Sequence, residues 1–269
     1  MRSTCVLLVF VRVTAASPQL LQIPLYISSV LCYTTFRKAV VVLNFSDGMK
    51  FLFIGNSATY KNEIPQTLKR LAEACGFTFE TAQITPGGCE LATHADMRTA
   101  HGQKVFAEIA KGYDVVFLQE NGSCMSGDEK LSACFEASER LIAAIKESGA
   151  EPWIYVRPPC FKDYYGYDTL EQCKKFDEIF GKIASNNGGI PCVYVNRAFA
   201  YAVKHLNYDL WDTDRAHTNR LGAYLIVCTF FATLFGVSAT TLPTNDLPLT
   251  EAKTLAEVAD KIVFEHWSI

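Results

Sequence analysis

The 269-residue chain lacks several features that mark specialised classes of protein. It carries 25 Lys and Arg residues against 28 Asp and Glu residues, a formal net charge of −3, and it contains no long basic run. It therefore has no positive field for nucleic acid, and no nucleic-acid partner is expected. Internal repeats and low-complexity tracts are absent as well. The length and the 49% content of hydrophobic residues indicate an ordinary globular protein with a substantial core.

Paired cysteines of the C-x-x-C type are also missing, although the chain has 10 cysteines and only 5 histidines. The cysteines are irregularly spaced, which favours free thiols in a reducing cytosol over a disulfide framework. His94 and His101 lie seven residues apart, but no third ligand is evident beside them in the sequence. We therefore predict a cytoplasmic protein without a metal ion or another cofactor.

The amino-terminal 48 residues contain no uninterrupted apolar run of the roughly 20 residues that a membrane span needs. The opening stretch resembles a signal peptide, but Arg12 interrupts its apolar part, and Pro24 interrupts the next one. Met49, in contrast, directly precedes a strand-like run. We predict that residues 1–48 are an extension outside the fold, that residues 49–269 form the folded domain, and that this domain makes no membrane contact. A genuine signal segment, and hence export, is the alternative.

From Met49 onward, strand and helix patterns alternate along the chain. Strands are predicted at 50–55, 77–85, 113–119, 151–156 and 191–195, and helices at 63–75, 101–111, 128–148, 169–186, 217–235 and 250–265. Such alternation is typical of a doubly wound parallel sheet with helices on both faces. The apolar runs do not alternate with polar residues, as expected for strands that are buried on both faces.

Ligands of such sheets bind beyond the carboxyl ends of the strands, so functional residues are expected in the loops that follow the strands. The first strand ends in FLFIGNS, which delivers Ser57 directly after a turn. The candidate groups in the later loops are Gly87-Gly88, the segment QENGS at 119–123, Arg157, and the segment WDTDRAH at 211–217.

Together these residues form a plausible set for nucleophilic catalysis. A serine hydroxyl needs a base to take its proton, and His217 can do so if a carboxylate such as Asp214, three residues earlier, orients its ring. Asp212 is the competing carboxylate. Donors for a developing oxyanion are the backbone N–H groups of Ser57 and Gly88 and the side-chain amide of Asn121. Each residue alone has an ordinary explanation as a turn or cap residue.

The pattern resembles the SGNH (GDSL-type) hydrolase superfamily: Gly-Asn-Ser after the first strand, Gly-Gly after the second, an amide-bearing loop after the third, and D-x-x-H before a late helix. The likeness spans residues 50–236 and is strongest to a bacterial branch whose first block reads LFIGNSxTY and whose third reads LQExS. It implies a flavodoxin-like three-layer α/β sandwich with a mainly five-stranded parallel sheet. It also implies a serine hydrolase with Ser57 as nucleophile, His217 and Asp214 as base and orienter, and Gly88 and Asn121 as oxyanion donors.

Two departures from the superfamily pattern matter. Asn56 replaces the usual aspartate of the first block, and the third block reads QENGS, so that Gln119 competes with Asn121 as the donor. Arg157 is a weaker candidate for substrate binding, beside the aromatic residues Phe161, Tyr164, Tyr165 and Tyr167. We expect cleavage of an acyl or acetyl ester of a small molecule or carbohydrate through an acyl-enzyme. The alternative is a non-catalytic module that binds a sugar or another small molecule on the same fold.

Overall fold

Five parallel strands form one sheet in the order β2-β1-β3-β4-β5 in the computed structural model, which describes residues 43–161 and 163–269. The strands are β1 (Met49–Ile54), β2 (Phe79–Ile84), β3 (Val115–Leu118), β4 (Glu151–Val156) and β5 (Cys192–Tyr194). The order reverses between β1 and β3, since the chain first moves from β1 to one side and then returns to the other. The predicted doubly wound sheet is confirmed, and its crevice lies at this reversal.

Helices cover both faces of the sheet. They are α1 (Ser57–Tyr60), α2 (Ile64–Glu73), α3 (Leu91–His94), α4 (Ala100–Ile109), α5 (Asp128–Glu147), α6 (Thr169–Asn186), α7 (Val195–His205), α8 (Arg220–Phe235) and α9 (Leu249–Phe264). Short 3₁₀ turns occupy Lys61–Glu63, Gly122–Met125 and Ala239–Thr241.

Successive side chains of the central strands are buried on opposite faces of the sheet. Phe51 and Phe53 of β1 point into the layer formed by α2, α7, α8 and α9, whereas Leu52 and Ile54 point into the layer formed by α3 to α6. Because both faces are covered, both sets of alternate residues are apolar. This explains why the strand sequences show apolar runs without a period of two.

Helix α8 is apolar around its whole circumference and is buried from Gly222 to Phe235. It lies between the sheet and α9, and its Phe230 ring contacts Phe53, Phe117 and Tyr155 at centroid distances of 5.8, 5.4 and 4.9 Å. A helix enclosed on all sides shows no amphipathic pattern. It also fixes the segment just before its own first residue, where His217 lies.

The sequence prediction missed one long helix and misplaced one helix start. No helix was predicted between the strand at 191–195 and the helix at 217–235, but α7 occupies Val195–His205. The late helix was expected to begin at His217, yet α8 begins at Arg220, with Asn219 as its cap, accepting from the N–H groups of Leu221 and Gly222. His217 is therefore a loop residue and not a helix residue.

Residues just before the expected boundary at Met49 pack against the fold. Leu43 is buried, and the Phe45 ring lies 4.9 Å from that of Phe235 and 6.3 Å from that of Phe79. The Asp47 carboxylate accepts hydrogen bonds from the backbone and hydroxyl of Thr78. Residues 1–42 of the predicted extension over residues 1–48 lie outside the described residues. Among the helices from Leu43 onward, none is long and apolar enough to cross a membrane.

Candidate active site

The loop after β1 places Ser57 at the first residue of α1. Asn56 caps this helix, and its side-chain oxygen accepts from the N–H of Ala58 at 3.1 Å. Gly55 is required just before it, because a Cβ atom there would lie 2.6 Å from Oε1 of Gln119 and 2.9 Å from the Thr59 hydroxyl. The backbone thus passes close to the Gln119 side chain, just after β3, and presents the half-buried Ser57 side chain at the end of the sheet.

Ser57, His217 and Asp214 form one continuous line of hydrogen bonds. The Ser57 hydroxyl lies 2.8 Å from Nε2 of His217, and Nδ1 of His217 lies 2.6 Å from Oδ2 of Asp214. An ionised carboxylate only accepts, so Nδ1 carries the proton and Nε2 presents a lone pair to the hydroxyl. The three residues are separated by up to 160 positions in the sequence and meet only in the fold.

The local turn around Asp214 keeps its carboxylate ionised. Oδ1 accepts from the backbone N–H groups of His217 and Ala216, both at 2.9 Å, while Oδ2 faces the His217 ring. The hydrogen bond from the His217 backbone, followed by that from its side chain, lowers the pKa of Asp214 to about 2. The competing Asp212 instead accepts from the N–H of Thr213 at 2.7 Å. The geometry therefore pairs Asp214, and not Asp212, with His217.

Neighbouring loops hold this turn in place. Asn62, shortly after Ser57, donates from its side chain to the carbonyl of Thr218 at 2.6 Å and so ties the serine segment to the histidine segment. The N–H of Phe161 donates to the carbonyl of Arg215 at 2.9 Å. The indole N–H of Trp211 donates to the carbonyl of Pro159 at 2.9 Å. The loop after β4 is thus hydrogen-bonded to the segment that carries the Asp214–His217 turn.

The predicted oxyanion donors lie at neighbouring strand ends. Ser57 occupies the first helical position, where a backbone N–H has no acceptor within the helix. Gly88 is exposed and has φ of +70°, a conformation that favours glycine. The half-buried Asn121 directs one of its two amide N–H groups to the carbonyl of Gly88 at 2.8 Å. The second and third strand-end loops are therefore joined directly beside Gly88.

Gln119 and Arg157, the two weaker candidates, are both buried. Gln119 is 1% exposed, and its Oε1 accepts from the Asn56 N–H at 3.0 Å and from the Thr59 hydroxyl at 2.9 Å, while its amide donates to the Glu120 carbonyl. Gln119 thus uses its side chain to hold the loop from inside. Arg157 is 7% exposed and donates from Nε to the Pro158 carbonyl at 3.0 Å. Its predicted contact with substrate stays a prediction.

Two residues that sequence reasoning did not select organise the loops. Asn56 donates from its side chain to the carbonyl of Cys89 at 2.9 Å and so connects the first loop to the second. Glu120, which is 2% exposed, accepts from the backbone N–H groups of Leu91 and Asn121. Burial raises the pKa of Glu120 to about 7. The sequence signal for Glu120 was an acidic residue directly after a buried strand, a position where polar residues are usually functional or bonded.

Comparison with known proteins supports the fold and not the individual residues. No protein-family model matches the chain, and no curated protein matches it. Solved structures do resemble it. A proposed SGNH hydrolase from Slackia heliotrinireducens superimposes with a TM-score of 0.59 at 24% identity over 70% of this chain and 99% of its own. A DUF4886 family protein from Bacteroides uniformis gives a TM-score of 0.68 at 18% identity over 83% and 97%.

An acetylxylan esterase from Geobacillus stearothermophilus also superimposes, with a TM-score of 0.54 at 17% identity over 70% of this chain and 94% of its own. One structure of that esterase is described as a catalytic mutant in which a serine is replaced by alanine. At identities below 25%, these likenesses establish the fold alone. The chain has the fold of the SGNH hydrolases, an α/β fold with a five-stranded parallel sheet in the order 2-1-3-4-5.

Proposed function

We propose that the protein is a serine esterase of the SGNH type, from the bacterial branch with a Gly-Asn-Ser first block. The observation that carries the proposal is the line of hydrogen bonds from Ser57 through His217 to Asp214, at 2.8 and 2.6 Å. Nothing in an ordinary turn or cap requires three such residues to meet in this order. The same arrangement is what activates a serine hydroxyl as a nucleophile.

The reaction proceeds in two steps. In the first, Ser57 Oγ attacks the ester carbonyl while its proton passes to Nε2 of His217, and the ionised Asp214 stabilises the resulting imidazolium. The oxyanion receives hydrogen bonds from the backbone of Ser57 and Gly88 and from Asn121. His217 then protonates the departing alcohol. In the second step, water attacks the acyl-enzyme with His217 as base, which releases the acid and restores Ser57.

The proposed substrate is an acetyl or another short acyl ester of a carbohydrate or small molecule. This choice rests on the structural likeness to an acetylxylan esterase and on the loop after β4. There Tyr165 is 40% exposed and its ring lies 4.3 Å from that of Tyr164. Cε1 and Cδ1 of Tyr164 lie 3.2 and 3.5 Å from where a Cβ on Gly122 would be, so Tyr164 borders the loop that carries Asn121. Aromatic faces at such a place offer a surface for a sugar ring.

Initial rates on 4-nitrophenyl esters of increasing chain length and on acetylated xylo-oligosaccharides test the proposal. We expect the highest specificity constant for acetyl esters. Ser57→Ala is expected to lower kcat by several orders of magnitude, while Ser132→Ala, on the outer side of α5, leaves it unchanged. Ester hydrolysis by Ser57→Ala at the parental rate contradicts the assignment. Faster cleavage of long-chain esters contradicts the substrate class and leaves the mechanism in place.

A further inference from the structure

Three side chains that the proposed reaction does not use meet behind the loop of Gly88. They are Cys89 in that loop, His94 at the end of α3, and His101 in the first turn of α4. Their sulfur and nitrogen donor atoms all lie within 4.8 Å of one another. Nε2 of His101 lies 3.0 Å from Nδ1 of His94 and 3.9 Å from Sγ of Cys89. The sequence prediction named only the two histidines and did not select Cys89, which precedes His94 in the same stretch of chain.

The orientation of His94 is already that of a metal ligand. Its Nε2 lies 2.8 Å from the carbonyl oxygen of Gly55, so Nε2 carries the proton and donates it. Nδ1 therefore has a lone pair, and it is directed toward His101 and Cys89. A histidine bound to a metal commonly donates its other N–H to a backbone carbonyl in this way, which fixes its tautomer and ring orientation. In the structure, the Nε2–H of His101 donates to this lone pair at 3.0 Å.

Two of the three donor separations are close to those around a tetrahedral ion. With bonds of about 2.3 Å to sulfur and about 2.0–2.1 Å to nitrogen, tetrahedral zinc holds two nitrogen ligands about 3.3 Å apart and sulfur and nitrogen about 3.6 Å apart. The observed 3.0 and 3.9 Å differ from these values by a few tenths of an ångström. The third pair, Sγ of Cys89 and Nδ1 of His94, lies within 4.8 Å, so rotation of the Cys89 side chain has to shorten this separation on binding. A water molecule would complete the coordination.

We propose that Cys89, His94 and His101 bind one Zn²⁺ ion through Sγ, Nδ1 and Nε2. One thiolate and two imidazoles form a ligand set that suits zinc. Magnesium and calcium instead select oxygen ligands. On binding, the Cys89 thiol releases its proton to solvent, and His101 shifts its proton from Nε2 to Nδ1. No electron is transferred. The sequence-based expectation of a metal-free protein is replaced by this proposal.

The position of the cluster gives the ion a structural role. Gly55, whose carbonyl receives the His94 proton, is two residues before Ser57, and Cys89 directly follows Gly88. The Asn56 side chain already connects these loops through the Cys89 carbonyl. A bound ion would anchor α3, the start of α4 and the Gly88 loop to one point. We therefore expect zinc to raise the thermal midpoint of the protein, since it binds the folded state and not an equivalent preformed site in the unfolded state.

Calorimetric titration of the untagged full-length protein with Zn²⁺, after treatment with a chelator, tests the site. We expect one zinc ion per chain and a higher thermal midpoint in its presence. Cys89→Ser and His101→Asn are each expected to weaken binding by more than about 100-fold, since loss of a group bound to the ion matters more than loss of a group that only orients a ligand. Cys192→Ser is the matched control, because this half-buried cysteine lies on β5, with its Sγ near the Ile190 carbonyl.

Co²⁺ provides a second readout that does not depend on stability. Thiolate ligation by Cys89 is expected to give a charge-transfer absorption in the near ultraviolet, lost in Cys89→Ser and retained in Cys192→Ser. His101→Asn, at a half-buried position, keeps the test decisive if the Cys89 variant folds poorly. Absence of zinc binding by the parent, or parental affinity in both ligand variants, overturns the proposal. None of these readouts requires esterase activity, so the site and the proposed function fail independently.

Discussion

Replacing Asp214 by asparagine changes the hydrogen-bond partner of His217 while keeping the shape of the side chain. In the parent, Oδ1 of Asp214 accepts two backbone N–H groups and Oδ2 accepts the Nδ1 proton of His217. Asparagine has only one oxygen. If this oxygen stays with the backbone donors, the amide NH₂ faces Nδ1 and forces the ring proton onto Nε2. His217 then has no lone pair for the Ser57 hydroxyl and cannot act as its base.

The size of the effect follows from how exposed the carboxylate is. In a fully buried triad, the same substitution costs on the order of 10⁴ in kcat. The Asp214 side chain is 47% exposed, so water partly replaces the lost interaction. We therefore expect a loss of about 10²–10⁴ in kcat, which corresponds to about 3–5 kcal/mol of transition-state stabilisation. KM is expected to change little, because the carboxylate does not touch the substrate in the proposed mechanism.

Steady-state hydrolysis of 4-nitrophenyl acetate by Asp214→Asn, Asp212→Asn and the parent measures this effect. Asp212 is the matched control: it lies two residues away, is exposed, and bonds to Thr213. We expect Asp212→Asn to retain kcat within about threefold, as for a surface position without contact to the reacting groups. A larger loss in Asp212→Asn than in Asp214→Asn would refute the assignment of the acid.

Three further predictions concern the scaffold. Gly55→Ala places a Cβ 2.6 Å from Gln119 Oε1 and is expected to destabilise the folded protein by about 1–3 kcal/mol in urea unfolding. The control, Gly181→Ala, has open space around its Cβ and is expected to be neutral or stabilising. Equal effects of the two substitutions would show that the packing argument is wrong. Burial raises the pKa of Glu120 to about 7, so the folded state binds the carboxyl proton more tightly than the unfolded state does. The free energy of unfolding is therefore expected to fall by up to about 3 kcal/mol as the pH rises from about 4.5 to about 7, with a flatter profile in Glu120→Gln. Phe45→Ala is expected to lower the free energy of unfolding by about 2 kcal/mol or more, because the Phe45 ring packs against Phe235, and the same loss is expected for a chain that begins at Met49. An unchanged thermal midpoint would instead support the boundary predicted at Met49.

The sheet and most helices were predictable from the sequence, because apolar runs and amphipathic patterns report burial directly. The strand at Glu151–Val156 and the helix at Thr169–Asn186 agree with prediction at both ends. Helix α7 was missed since its first residues continue the apolar run of β5 without a turn signal: Val195 is the first helical residue and directly follows Tyr194. The packing of Leu43 and Phe45 was missed for another reason, since it depends on partners far along the chain.

For the candidate site too, some residues could be predicted from the sequence and others could not. Ser57, Asp214 and His217 were selected by their residue types and by their places after strands, and the structure brings them within hydrogen-bond distance. The choice between Asn121 and Gln119 was left open, because both follow the same strand. Only the fold shows that Gln119 points inward, with its Oε1 bonded to Asn56 and Thr59. Contacts between loops that are distant in sequence leave no local pattern.

Covalent labelling of the native protein with a fluorophosphonate probe, followed by mass spectrometry of its peptides, tests the central proposal most directly. The probe reacts with a serine only where a neighbouring base activates the hydroxyl. We predict one labelled peptide, containing Ser57, with labelling that is lost in Ser57→Ala and after unfolding, and is strongly slowed in His217→Ala. An unlabelled parent protein, or a Ser57→Ala variant that is labelled as fast as the parent, would contradict the account of Ser57 as an activated nucleophile.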